Sequence, residues 1–352
     1  MNDNVVLKAA AQFGHGIPIV EKLGNGLINR TYKIMFTDDQ NPIVLQCLNQ
    51  RVFTQPENVI LNYRLIYNHL QQQSVVRIPA LISSHHHKDY WIDEDDNIWK
   101  ATEYISDSYT HSVATSSEDA GAAASCFAEF VHSLTGLEGD LIYIPLPDFH
   151  DLSLRYNQFE EAITGGTIMR LLRATHVIAE LRQRKKLVGY FRHLQNNPDF
   201  PIRLMHHDGK ISNVLFHQST REVICPVDLD TVMPGHFFSD IGDLIRTMSC
   251  TVDENSTAWE NISIQPAYYH AIIECYLSKT NHLFTNQEKA HIHYSGLLMT
   301  YMQALRFVTD FLNNDIYYKT SFPEQNLNRA LNQLILLEKL EDFLQDEIGF
   351  VG

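Results

Sequence analysis

Apolar and polar positions alternate in short runs over the first hundred residues, and three- and four-residue apolar steps dominate the remainder. Around Leu23-Gly24-Asn25-Gly26-Leu27-Ile28-Asn29-Arg30-Thr31-Tyr32-Lys33-Ile34 the pattern predicts a strand, a glycine turn and a second strand, with a further strand from Ile43 to Leu48. Pro56 opens a predicted helix over Glu57 to Gln73, with Ile60, Leu61, Leu65, Ile66 and Leu70 on its apolar face. Trp91 to Asp93 and Asn97 to Ile105 read as strands joined by the acidic turn Glu94-Asp95-Asp96.

From Ser116 the chain turns helical. Ser116-Ser117-Glu118-Asp119 is a capping-box pattern before the small-residue run Ala120 to Val131. Helices are predicted near Leu154 to Ile163 and Ile168 to Leu194, parted by Gly165-Gly166, then at Asp240 to Arg246, Gln265 to Tyr276, Glu288 to Asn313 and Asn326 to Glu347. The fold class expected is α+β, a small β-rich N-terminal lobe followed by a large, mainly helical C-terminal lobe. Between the helices, Arg203 to Asp230 reads as three short apolar strands separated by a polar loop and a turn.

Composition narrows the partners. Across 352 residues, 42 acidic against 27 basic side chains give a formal charge of -15, which argues against nucleic acid or an anionic membrane and for a small ligand. Five cysteines without a Cys-x-x-Cys pair read as reduced thiols. The N-terminus shows no basic segment before an apolar run, and no stretch has eighteen uninterrupted apolar residues, so a cytoplasmic location with no membrane partner is expected. His85-His86-His87 has no acidic or cysteine partner at ligand spacing and reads as a surface loop.

The Arg203 to Asp230 stretch carries the chemistry. Phosphoryl transfer to a hydroxyl needs a carboxylate to take the proton, a cation beside the moving group and oxygen ligands for magnesium. Asp208, Lys210, Asn213 and Asp228 meet those needs in order, and His206, Asp208, Asn213 and Asp228 repeat the spacing of a protein-kinase catalytic loop and its later metal-binding aspartate. The alternative is that Asp208 and Asn213 only close a turn. Gly24 and Gly26 would let backbone amides approach phosphate, although a hairpin turn explains them equally. Glu103 to Ile105 falls where an interlobe hinge would offer its backbone to an adenine edge, or serve as a plain linker. Asp240 and Asp243 open a helix and take a structural role, tied back to the loop.

These residues resemble the aminoglycoside phosphotransferase and choline kinase superfamily, and within it the N-acetylhexosamine 1-kinase branch. Gly24-Asn25-Gly26-Leu27-Ile28-Asn29, His206 to Asn213, Val227-Asp228-Leu229-Asp230-Thr231-Val232-Met233-Pro234-Gly235 and Asp240-Ile241-Gly242-Asp243 carry the resemblance over nearly the whole chain. It implies a protein-kinase-like two-lobed fold, with a nucleotide-binding lobe over residues 1–104 and a catalytic and substrate-binding lobe over 105–352. It further implies ATP and magnesium as cofactors, Asp208 as base with Lys210 beside it, and Asn213 and Asp228 on the metal. Gly24, Asn25, Gly26, Asn29, Gln46, Glu103 and Ile105 would contact the nucleotide. Asp208, Asp230, Arg306 and Tyr317 would face the acceptor, an amino sugar phosphorylated at its anomeric hydroxyl; the alternative for Arg306 and Tyr317 is a surface arginine over a packed ring.

One departure stands out. Kinases hold the nucleotide phosphates with a lysine on the third strand, and Ile43-Val44-Leu45-Gln46-Cys47-Leu48 has none, leaving Gln46 or Arg51 as substitutes. Two other readings stay open: a kinase of another sugar, an amino alcohol or an aminoglycoside, and a nucleotide-binding regulator without turnover. A Walker motif is excluded, because Gly209-Lys210 is followed by Ile211 and Leu204 stands where its first glycine belongs.

Overall fold

The computed structural model describes residues 3–24, 28–39, 41–73 and 75–349. The predicted residues Asn25 and Gly26 lie outside them. Two compact units are present, the first made of 1–109, 133–147 and 215–233, the second of 110–132, 148–214 and 234–352.

In the first unit α1 (Asp3–Ala10) precedes β1 (Pro18–Lys22), β2 (Arg30–Phe36) and β3 (Ile43–Cys47); α2 (Pro56–Gln73), β4 (Leu81–Ile82), β5 (Trp91–Ile92), β6 (Ile98–Glu103) and β7 (Ser108–Tyr109) follow. The strands form an antiparallel sheet in the order β1-β2-β3-β6-β4, with β5 beside β6. Alternation decides its two faces. Ile34, Phe36, Ile43, Leu45, Cys47, Trp99 and Ala101 point one way and are covered by Val6, Ala9 and Ala10 of α1, a helix the sequence pattern did not announce. Each fully buried Ile or Leu there contributes about 1.5–3 kcal/mol.

Pro56 does start α2, yet its buried stripe is Val59, Ile60, Tyr63, Ile66 and Leu70. Leu61, predicted on that face, is exposed, because one residue beyond Ile60 turns the side chain about 100° away. His85, His86 and His87 lie in an exposed loop.

The second unit is helical, with α3 (Ser117–Ser133), α4 (Leu152–Gly165), α5 (Ile168–Gln183) and α6 (Lys186–Gln195) before β8 (Arg203–Met205). The chain then returns to the first unit, where β9 (Val214–His217) and β10 (Val223–Pro226) form a sheet with β7, before β11 (Met233–Gly235). The chain closes with α7 (Phe238–Met248), α8 (Pro266–Thr280), α9 (Asn286–Ala290), α10 (Tyr294–Leu312) and α11 (Gln325–Ile348). The nearly all-buried α10 packs on α4, α5, α7 and α11.

Two predicted helices are each split. The run Ile168 to Leu194 breaks after Gln183, where the cations of Arg182-Gln183-Arg184-Lys185-Lys186 suit the negative C-terminal end of α5. Glu288 to Asn313 divides at His291; the short α9 is started by a capping box of Thr285 and Glu288, and the Glu288 carboxylate is drawn to Arg203, with Nη2 to Oε2 at 2.9 Å. Four of the five cysteines are buried and all are free thiols. No helix among the described residues is long and apolar enough to cross a membrane.

Candidate active site

The loop after β8 is held from behind. His206 is fully buried and meets the rings of Phe127 and Phe130 edge-on, with centroids 4.9 and 5.8 Å away. Its backbone N–H and that of His207 donate to the two oxygens of Asp240, at 2.9 and 2.7 Å, so the first turn of α7 is tied to the loop as the sequence suggested. Burial pushes the Asp240 carboxyl up to about 7, against the pull of those two N–H groups. His207 adopts φ +65°, and its ring fills the space a side chain at Gly235 would need. That close approach explains the glycine ending the Val-Met-Pro-Gly run.

The anchored loop presents Asp208. Its Oδ2 accepts from Lys210 Nζ at 2.7 Å and from Asn213 Nδ2 at 2.8 Å, while the same Asn213 nitrogen donates to the Asp208 carbonyl at 3.0 Å. Burial opposes charge on Asp208, but the Lys210 ammonium and the Asn213 hydrogen bond outweigh it and hold the carboxyl below its usual range. At neutral pH Asp208 is therefore an ionised, partly exposed carboxylate, the state a general base requires. With its nitrogen committed, Asn213 turns its amide oxygen away from Asp208.

Farther along the second unit, the guanidinium of Arg306 lies 4.9 Å from the Phe149 ring, 5.7 Å from Tyr317 and 5.5 Å from Tyr318. It reaches the Tyr317 hydroxyl at 3.5 Å and Gln303 Oε1 at 3.3 Å. No carboxylate among the described residues pairs with it. The Asp310 carboxylate accepts from the backbone N–H of Tyr317 and Tyr318, at 2.8 and 2.9 Å, which fixes the segment bearing both rings.

The remaining predicted residues belong to the first unit. Gly24 has φ +67°, a left-handed turn that glycine adopts without strain. Asn29 donates to Asp230 Oδ2 at 2.6 Å. Gln46 donates to Thr31 Oγ1 at 3.2 Å. Glu103 pairs with Arg77, and its backbone N–H is taken by the Ala80 carbonyl at 2.8 Å. The Ile105 carbonyl accepts from the Ser108 hydroxyl at 2.5 Å. Asp228 is exposed and left-handed, with φ +62°. Asp230, by contrast, is buried on Lys100, a residue the sequence reading passed over. A lone lysine inside the apolar strand Ile98-Trp99-Lys100-Ala101 was the signal available.

A sequence model of the phosphotransferase enzyme family matches residues 19–265. The chain belongs to that family. It is an ATP-dependent small-molecule kinase acting on a hydroxyl group. Solved structures agree on the protein-kinase-like α+β fold. An aminoglycoside phosphotransferase from Alicyclobacillus acidocaldarius matches with a TM-score of 0.66 at 13% identity, covering 96% of this chain and 94% of that one. A microcompartment-associated aminopropanol kinase gives 0.65 at 14% identity, with 98% of both chains covered. An amicoumacin kinase, solved with AMP-PNP, calcium and amicoumacin, gives 0.65 at 15% identity, covering 96% and 94%.

Proposed function

We propose that this kinase moves the γ-phosphoryl of ATP to the anomeric hydroxyl of an N-acetylhexosamine, giving a sugar 1-phosphate and ADP. Residues 1–104 would bind the nucleotide and 105–352 the acceptor. The observation that carries the reaction is the ionised Asp208 carboxylate held by Lys210 and Asn213 on a loop anchored by Asp240. Asp208 takes the proton of the acceptor hydroxyl as that oxygen bonds to the γ-phosphorus and the bond to the β-phosphate oxygen breaks. Lys210 offsets charge on the transferred group.

Asn213 and Asp228 would each offer an oxygen to magnesium. One turns an amide oxygen away from its committed nitrogen and the other is an exposed carboxylate, both hard oxygen donors. The ion would supply neutralisation of charge on the phosphates.

The Arg306 cluster supports the acceptor assignment. Three aromatic rings suit the apolar face of a sugar, and the guanidinium donates to neutral oxygens such as an acetamido carbonyl. An arginine with no carboxylate partner among the described residues repels a cationic amine. The likeness to an aminopropanol kinase and an amicoumacin kinase favours the second reading, an amine-bearing alcohol, and the test includes both classes.

The experiment is magnesium- and ATP-dependent ADP release against N-acetylglucosamine, N-acetylgalactosamine, unsubstituted hexoses, choline and an aminoglycoside, with phosphorus NMR of the product. An anomeric phosphate from an N-acetylhexosamine is expected. Turnover with choline or the aminoglycoside alone would replace this reading with the second, and ATP binding without release for any acceptor would return the regulator. Arg306→Met is expected to raise the acceptor KM about tenfold or more, the worth of a charged hydrogen bond, and to leave the ATP KM alone. Parallel rises in both KM values would remove Arg306 from the acceptor site.

A further inference from the structure

The third strand lacks a lysine, but the strand beside it supplies one in the same row. In the antiparallel ladder Gln46 of β3 stands directly opposite Lys100 of β6, and Thr31 of β2 stands opposite Gln46. Directly opposed residues project from the same face of a sheet. Thr31, Gln46 and Lys100 therefore form one line on the face away from the α1 core, whose members Cys47, Trp99 and Ala101 alternate with them.

Lys100 is buried, at 2% exposure, and ion-paired with Asp230, at 3%. The other Asp230 oxygen accepts from Asn29, the residue just before β2, whose own side-chain oxygen holds the Asn49 N–H at 3.0 Å. One carboxylate thus joins the lysine of β6 to the residue that leads into β2. The Tyr63 ring lies 5.3 Å from the ammonium. An ammonium has three donors, and among the described residues Asp230 is its one hydrogen-bond acceptor. Stability is a poor reason to keep such a pair, since desolvating two charges offsets most of their attraction.

We propose that Lys100 anchors the nucleotide phosphates in place of the missing third-strand lysine, with Asp230 as the counterion that orients it. The assignment rests on the ATP-dependent reading above. It moves the charge one strand over along the same row, so the ammonium stays on the same face of the sheet while its sequence position changes. Gln46, a neutral amide, marks the vacated place.

The test is calorimetric titration of magnesium-ATP and of adenosine into wild type, Lys100→Met and the exchange variant Gln46→Lys/Lys100→Gln. Lys100→Met is expected to weaken magnesium-ATP by about ten- to a hundredfold, the worth of a charge-assisted contact, and to leave adenosine affinity unchanged. The exchange variant, which returns the charge to the same row, is expected to regain most of the preference for ATP over adenosine, and it decides the matter should Lys100→Met not fold. Unchanged ATP affinity in Lys100→Met, equal losses of ATP and adenosine, or a folded exchange variant without the ATP preference would each overturn the assignment. Were wild type itself to show no preference for magnesium-ATP over adenosine, the nucleotide reading would fail and not the lysine alone.

Discussion

Asp208→Asn is expected to lower kcat by about a hundred- to ten-thousandfold, the usual worth of a positioned general base. Asparagine keeps one oxygen to accept from Lys210 and Asn213, as Asp208 Oδ2 does now at 2.7 and 2.8 Å, so the loop keeps its shape and only the basic site is lost. The ATP KM should therefore stay close to that of wild type, which separates a chemical defect from a binding defect. The wild-type pH profile carries the same signature. Because Lys210 and Asn213 hold the Asp208 carboxyl below its usual range, the acid limb it sets in kcat/KM falls below about pH 4. Steady-state kinetics of both proteins check this, and an Asp208→Asn enzyme with near wild-type kcat would remove Asp208 from the mechanism.

Asp240→Ala is expected to cost about 2–6 kcal/mol of stability, about 1–3 for each of the two buried N–H groups, of His206 and His207, that lose their acceptor. It should also lower kcat in whatever fraction folds, because those N–H groups fix the backbone from which Asp208 projects. The pH dependence has a definite sign. The folded Asp240 carboxyl, at about 7, lies above its unfolded value near 4, so the folded state binds the extra proton between them. The stabilisation from this group is complete below about pH 4 and lost as pH rises through 7. The variant lacks the titrating group, so its deficit against wild type should shrink from pH 5 toward pH 8. Urea unfolding of both proteins at several pH values measures it; a deficit that grows with pH would contradict the assigned direction.

Much of the candidate site was legible because its members are close in sequence. Asp208, Lys210 and Asn213 share one loop, and a hydrogen bond between residues five apart needs only a local turn. Asp240 was legible as a support because acidic residues at a helix start have few other partners. The helix breaks at Gln183 and His291 were not, since apolar periodicity ran through both. Leu61 was assigned to the wrong face because its apolar neighbours mask a one-residue change of angle.

By itself the sequence determined the α+β order and the place of the Arg203 to Asp230 strands among the helices, both set by short-range pattern. Only the tertiary structure decided that Lys100 stands opposite Gln46 and is buried on Asp230, and that residues 215–233 fold with the first unit, where β9 pairs with β7. Strand register and long-range pairing depend on which faces are buried together, and that choice is made by the packed core and not by any local run of residues.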